Sequence, residues 1–224
     1  MRPALLFSCA VLMCSICVRQ AQAEWPRISP KLKDKQVTIH KVVVLPAQVA
    51  YKKITFKGVE GGTEESDQIA TSLYTAVTRE LGVRGVDVLP NPLDAARTDT
   101  ERYAIADLQT RYDTVSVQLR KNPGWVDHGR ITLDDRVARF APGSGSDALV
   151  FVRGSGANRA PMGSLSMMPF RAEVTFVDAK TGEVLAFVRF GVYRDVANKT
   201  DERLMHGLRE AMHDVPLPAP PPKK

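Results

Sequence analysis

Three cysteines, four histidines and a few pairs of carboxylates are the residues of this 224-residue chain that could do chemistry. The cysteines are Cys9, Cys14 and Cys17, and none follows them. The body of the chain therefore has no thiol for a disulfide framework, a Cys-type zinc site, an iron–sulfur cluster or a covalent nucleophile. His206, Glu210 and His213 recur at i, i+4 and i+7, a spacing that puts them on one face of a helix, where a metal could use them. No other segment offers an obvious fourth ligand. The dipole also favours histidines near the carboxyl end of a helix, so the three read as a solvated face. No cofactor or metal is expected.

The carboxylates Glu64-Glu65, Asp99 with Glu101, and Asp134-Asp135 all stand at presumed helix starts, where the dipole accounts for them. A glycosidase-type acid pair would come from separate strands or loops. His128, in Trp125-Val126-Asp127-His128-Gly129 between two helices, is the best single candidate for an active-site histidine, and a secreted hydrolase built around it is the catalytic alternative. Gly154-Ser155-Gly156 follows a strand, but a dinucleotide fingerprint needs a third glycine where Arg159 stands, and Pro161 opposes a helix start. This stretch reads as a loop. Met162, Met167, Met168 and Phe170 cluster beside it, either as an adaptable surface for a partner or as an edge of the core. Loop 154–169 could equally serve a small-ligand carrier.

Residues 1–23 read as an export signal. Arg2 precedes an apolar run from Ala4 to Val18, shorter than the roughly 20 residues that span a bilayer. Ala21-Gln22-Ala23 then fits the small-x-small rule for cleavage before Glu24. Lipidation at Cys14 or Cys17 is the rival outcome. It would leave a soluble domain tethered to a membrane, although Met13 and Ile16 fit poorly before an acylated cysteine. Losing Arg2 and Arg19 with the signal lowers the formal net charge from +6 to +4, and no basic cluster alternates with aromatics, so nucleic acid is not an expected partner. A 44% hydrophobic, 25% charged composition excludes wholesale disorder and a polytopic membrane protein.

Downstream, residues 24–36 hold Trp25, Pro26, Pro30 and several cations, and read as an extended linker. The continuous apolar run Val42–Leu45 predicts a strand buried on both faces, with Pro46 at its exit. Ala47–Lys57 extends it or forms an edge strand. Ile69, Leu73, Val77 and Leu81 make the stripe of a helix opened by Thr63-Glu64-Glu65 and closed by Gly82 and Gly85. Val86–Pro90 is a short strand. Ile105, Leu108, Tyr112, Val115 and Leu119 mark a longer helix from Asp99 to Pro123, and a shorter one is expected from Thr132 through Leu133 and Val137. Asp147–Arg153 is a central strand. Phe170–Asp178 and Glu183–Phe190 form a hairpin about Ala179-Lys180-Thr181-Gly182, with one wet face carrying Arg171 and Glu173. Leu204, Leu208 and Met212 line a last helix, and residues 216–224 form a proline-rich tail. The expectation is one α/β domain over residues 37–215: a mixed sheet of about five strands flanked by amphipathic helices, ending in a β-hairpin and a C-terminal helix.

Several of these strings occur together, and in the same order, in a known group. Val42-Val43-Val44-Leu45-Pro46, Ser146-Asp147-Ala148-Leu149-Val150-Phe151-Val152 and Val177-Asp178-Ala179-Lys180-Thr181-Gly182-Glu183-Val184, with the helices between and after them, resemble the α/β domain of CsgG-type curli-export lipoproteins, LpoB-type penicillin-binding-protein activators and the amino-terminal domain of TolB. The resemblance spans roughly residues 37–213. It implies a non-enzymatic envelope protein that binds other envelope proteins or associates with itself, and it carries over no catalytic residue. The chain departs from the group in its weak lipidation signal. It also lacks a long amphipathic hairpin pair, so a membrane channel is not expected.

Overall fold

The computed structural model describes residues 23–55, 58–90, 98–133, 137, 145–159, 170–192 and 200–218. Within them an eight-stranded mixed sheet is packed with helices on both faces. The strands are β1 (Ala23–Ile28), β2 (Lys41–Val44), β3 (Gln48–Thr55), β4 (Gly58–Gly61), β5 (Asp87–Leu89), β6 (Ala148–Arg159), β7 (Phe170–Asp178) and β8 (Val184–Val192). The helices are α1 (Pro30–Lys33), α2 (Thr63–Val83), α3 (Asp99–Lys121) and α4 (Thr200–Met212), with a 3-10 helix at Pro123–His128. The main path runs β1-β8-β7-β6-β2-β5, and β3 joins β6 with β4 beside it.

The apolar run of β2 is divided between the two faces, as a strand's alternation requires. Val42 and Val44 enter the layer under α2 and α4, with Leu73, Val77, Leu204 and Leu208. Val43 and Leu45 enter the layer under α3, with Leu108, Tyr112, Val115 and Leu119. Parallel pairing joins β2 to β5 and β6, and β6, β7 and β8 form an antiparallel meander. The β7–β8 turn closes on Asp178, whose Oδ1 accepts from Lys180 N (2.7 Å) and Thr181 N (2.8 Å). Gly182 completes it at φ 73°. Asp147 ties the entry of the sheet, its Oδ2 accepting from His40 N (2.8 Å) and Lys41 N (2.9 Å).

Several expectations change. Residues 24–36 are not a free linker. They supply β1, which pairs antiparallel with β8, and α1, which buries Leu32. An edge strand needs only one row of partners, so the Pro26 that argued against a strand is tolerated there. The sheet thereby gains β1, and the strand expected within Ala47–Lys57 is β3, with β4 paired beside it. The Gly154-Ser155-Gly156 stretch is not a loop but the middle of β6. A Cβ on Gly154 would stand 2.5 Å from Phe170 Cζ, and one on Gly156 3.0 Å from Phe170 Cδ2, so both glycines make room for a ring. The face of β7 bearing Glu173 is not wet, because α3 crosses it; Arg171 alone on that strand is exposed. Of the short helix expected from Thr132, Thr132 itself bridges to Glu183 and Val137 is helical, while Asp134 and Asp135 lie outside the described residues. Finally, α2 starts without a side-chain cap, its Ser66 hydroxyl accepting instead from Tyr51 N at 3.1 Å. At the other end, Leu217 packs on the core while residues 219–224 lie outside the described set.

Candidate functional site

β6 has two successive parallel neighbours. Its first half pairs with β2 as far as Val44–Val150, and its second half pairs with β3 from Gln48–Arg153 onward. The chain crosses between them at Leu45-Pro46-Ala47. Beside this change of partner, on the face covered by α3, lies a half-open cavity of about 420 Å³ with several charged residues in its wall. Its lining is Gln48, Val49 and Ala50 from β3, Arg153, Gly154 and Ser155 from β6, Arg171 and Glu173 from β7, and Asp113, Ser116 and Arg120 from α3. The 3-4 spacing of the α3 residues puts them on one helical face.

Register explains the charges. Gln48, Arg153, Glu173 and Arg189 are successive cross-strand partners on β3, β6, β7 and β8. Opposite charges therefore stand side by side across the sheet. Glu173 is buried and receives Arg120 Nη1 at 3.0 Å, with Arg189 Nε at 3.6 Å. Arg153 Nη2 meets Asp113 Oδ1 at 2.7 Å and donates to the carbonyl of Gln109 at 3.0 Å. The Arg153 guanidinium also lies 5.3 Å from the ring centroid of Tyr112. Tyr112 stacks on Phe151 at 4.2 Å and shares a short hydrogen bond with Thr175. Arg120 Nη2 donates to the Ser116 hydroxyl at 3.2 Å.

Burial lowers the Arg153 pKa against the pull of Asp113, and raises the fully buried Tyr112 phenol well above its usual value. It also lifts the Glu173 carboxyl above its ordinary 4.5, although Arg120 and Arg189 oppose the shift. A carboxyl whose folded pKa is raised stabilises the fold below its unfolded pKa and loses that contribution as pH rises through the folded value. Glu173→Gln, which removes the charge and keeps the shape, is therefore expected to be at least as stable as the parent at pH 7. Its advantage should shrink on acidification toward pH 4.5. Thermal unfolding across that range checks this, and a parent that loses ground to the variant on acidification would refute it.

The residues picked out from sequence are dispersed. Phe170, a candidate for partner contact, is 1% exposed in the core, so it acts as packing and not as surface. Met162, Met167 and Met168 lie outside the described residues, as do Cys14, Cys17 and Ala21. Ala23 and Glu24 open β1. His128 ends the 3-10 helix, exposed and without a hydrogen bond or ion pair among the described residues. Its neighbour Asp127 is occupied by Arg27 Nη1 (3.1 Å), Ile28 N (3.3 Å) and Lys33 Nζ (3.4 Å). His206 meets Glu210 at 3.3 Å while His213 turns to Asp214 at 2.9 Å, so the three do not converge. Among the described residues no group of three or more His, Cys, Asp or Glu is placed to hold a metal. Of the cavity, sequence reading touched only loop 154–169 with its strand residues Gly154 and Ser155, and the alternating Arg171 and Glu173. Arg153 was findable as a lone cation closing the apolar run Ala148–Val152. Asp113, Ser116 and Arg120 carried no signal until α3 was placed over the sheet.

No family model matches the chain, and no curated protein matches it. Among solved structures, a PelC dodecamer from Paraburkholderia phytofirmans is similar at 10% identity over 86% of this chain and 95% of that chain, with a TM-score of 0.45. Lipoprotein GNA1162 from Neisseria meningitidis is similar at 12% identity over 78% of this chain and 94% of that chain, with a TM-score of 0.41. Likeness at these values assigns no function.

Proposed function

We propose that this chain is an exported cell-envelope protein that acts through contacts with envelope proteins or with further copies of itself, and not by catalysis. The observation that carries the export half is the position of β1. The sheet opens at Ala23, at the junction expected for signal cleavage, so no spacer separates the address from the fold. Cleavage before Glu24 would leave the new amino terminus on a sheet edge. Acylation at Cys17 would hold that edge within about 20 Å of the lipid, the reach of six extended residues. No helix of the described residues is long and apolar enough to cross a membrane.

The outer face of α3 supports the contact half. Tyr103, Thr110, Thr114 and Val117 share that face, with Tyr103 75% and Val117 43% exposed. Asp107 and Lys121 fall on the same stripe, so Tyr103 and Val117 stand there as exposed hydrophobics among charges. The expected outcome is tested with a photo-crosslinking residue at Val117 in the exporting cell. Discrete cross-linked species are expected there and none from the exposed Thr71 on α2. The mass of the amino-terminal peptide, read from the same preparation, is expected to show Glu24 or an acylated cysteine. Absence of cross-links at both Val117 and Tyr103 overturns the contact half, and an unprocessed chain retained in the cytoplasm overturns export.

A further inference from the structure

We propose that the cavity beneath α3 binds a small hydroxylated carboxylate of the acidic-sugar class, with Arg171 as its principal anchor. The lining carries three guanidiniums, from Arg120, Arg153 and Arg171, against two carboxylates, from Asp113 and Glu173. Both carboxylates are already engaged, Asp113 by Arg153 at 2.7 Å and Glu173 by Arg120 at 3.0 Å. Arg171 is exposed and has no partner among the described residues, so the excess of one cation sits where a ligand enters.

The chemistry of the lining selects the ligand class. A guanidinium presents a planar fork that matches a carboxylate with two parallel hydrogen bonds. One uncompensated cation balances a monoanion, whereas a phosphate dianion would leave a negative charge against Asp113 and Glu173. The neutral polar groups open to a ligand are the hydroxyl of Ser155 and the amide of Gln48, which suit ligand hydroxyls, while the buried Ser116 hydroxyl is taken up by the Asp113 carbonyl and Arg120. A volume of about 420 Å³ is that of a small-molecule site and exceeds what a single inorganic ion fills. The walls are strands and a helix, so the backbone that carries the donors is fixed before a ligand arrives.

The test is a calorimetric titration of the purified full chain with galacturonate, with galactose as the neutral twin and inorganic phosphate as the generic anion. Saturable galacturonate binding is expected, at least about tenfold tighter than either control. Arg171→Gln should weaken it about tenfold without changing the thermal midpoint, because that side chain makes no hydrogen bond or ion pair among the described residues. Three results would overturn the proposal: no saturation by galacturonate below about 10 mM, galactose or phosphate binding as tightly as galacturonate, or undiminished binding by a folded Arg171→Gln variant.

Discussion

A chain shortened to begin at Lys35 is expected to be about 3–6 kcal/mol less stable than one that begins at Glu24, and to self-associate through a bared sheet edge. The estimate follows from two side chains. Ile28 and Leu32 are buried in the layer under α2 and α4, and full burial of such a residue is worth about 1.5–3 kcal/mol. The same deletion removes the β1–β8 ladder, the Ser29 N–Leu185 O bond at 2.8 Å, the Lys31–Glu183 ion pair and the cations that hold Asp127. The ion pairs, exposed on at least one side, add little. Denaturant unfolding of the two chains measures the difference, and size-exclusion chromatography reads the association. A difference below about 1 kcal/mol would return residues 24–34 to the status of a linker.

Tyr112→Ala is expected to cost about 3–5 kcal/mol, the range for deleting a buried aromatic ring. The ring is fully enclosed, stacked on Phe151, and forms the floor on which Arg153 rests. Tyr112→Phe separates the polar part of that cost. It keeps the stack but leaves the buried Thr175 hydroxyl without this partner, at about 1–3 kcal/mol. Adding Thr175→Val should recover most of the loss, because removing both partners of a buried bond is far less costly than removing one. A double-mutant cycle on unfolding free energies reads the coupling directly, and additive single effects would show that the bond contributes nothing.

The parts of the fold that could be read in advance are those where one residue type at one period has one physical meaning. The Ile69–Leu81 stripe and the Ile105–Leu119 stripe became α2 and α3, and the unbroken Val42–Leu45 run became a strand shared by two cores. Residues with two meanings mislead. Glycine marks both loops and close approaches, and Gly154 and Gly156 are the second kind, because a phenyl ring occupies the place of their missing side chains. Proline argues against central strands but not against edges, so β1 went unseen. The charged row of the cavity was hidden for a different reason. Glu173 looked solvent-facing by alternation alone, and only the passage of α3 over the sheet turns it into a buried acid held by arginines. Such a site exists only in three dimensions, since Asp113, Arg153 and Glu173 belong to three different elements.

The position of β1 also sets an order in time. Its sole sheet neighbour among the described residues is β8, with Ala23 opposite Phe190 and Ile28 opposite Ala186. Chains emerge from synthesis amino terminus first. The first strand to appear is thus the last that can be placed, since its partner is nearly the last to be made. Until then its row of donors and acceptors waits unpaired while the meander β6–β7–β8 assembles from nearby sequence. A contact this distant along the chain is slow to close, because the entropy of the intervening loop is lost before the pairing returns anything. Anything that held the amino terminus during that interval would hold the strand that completes the fold.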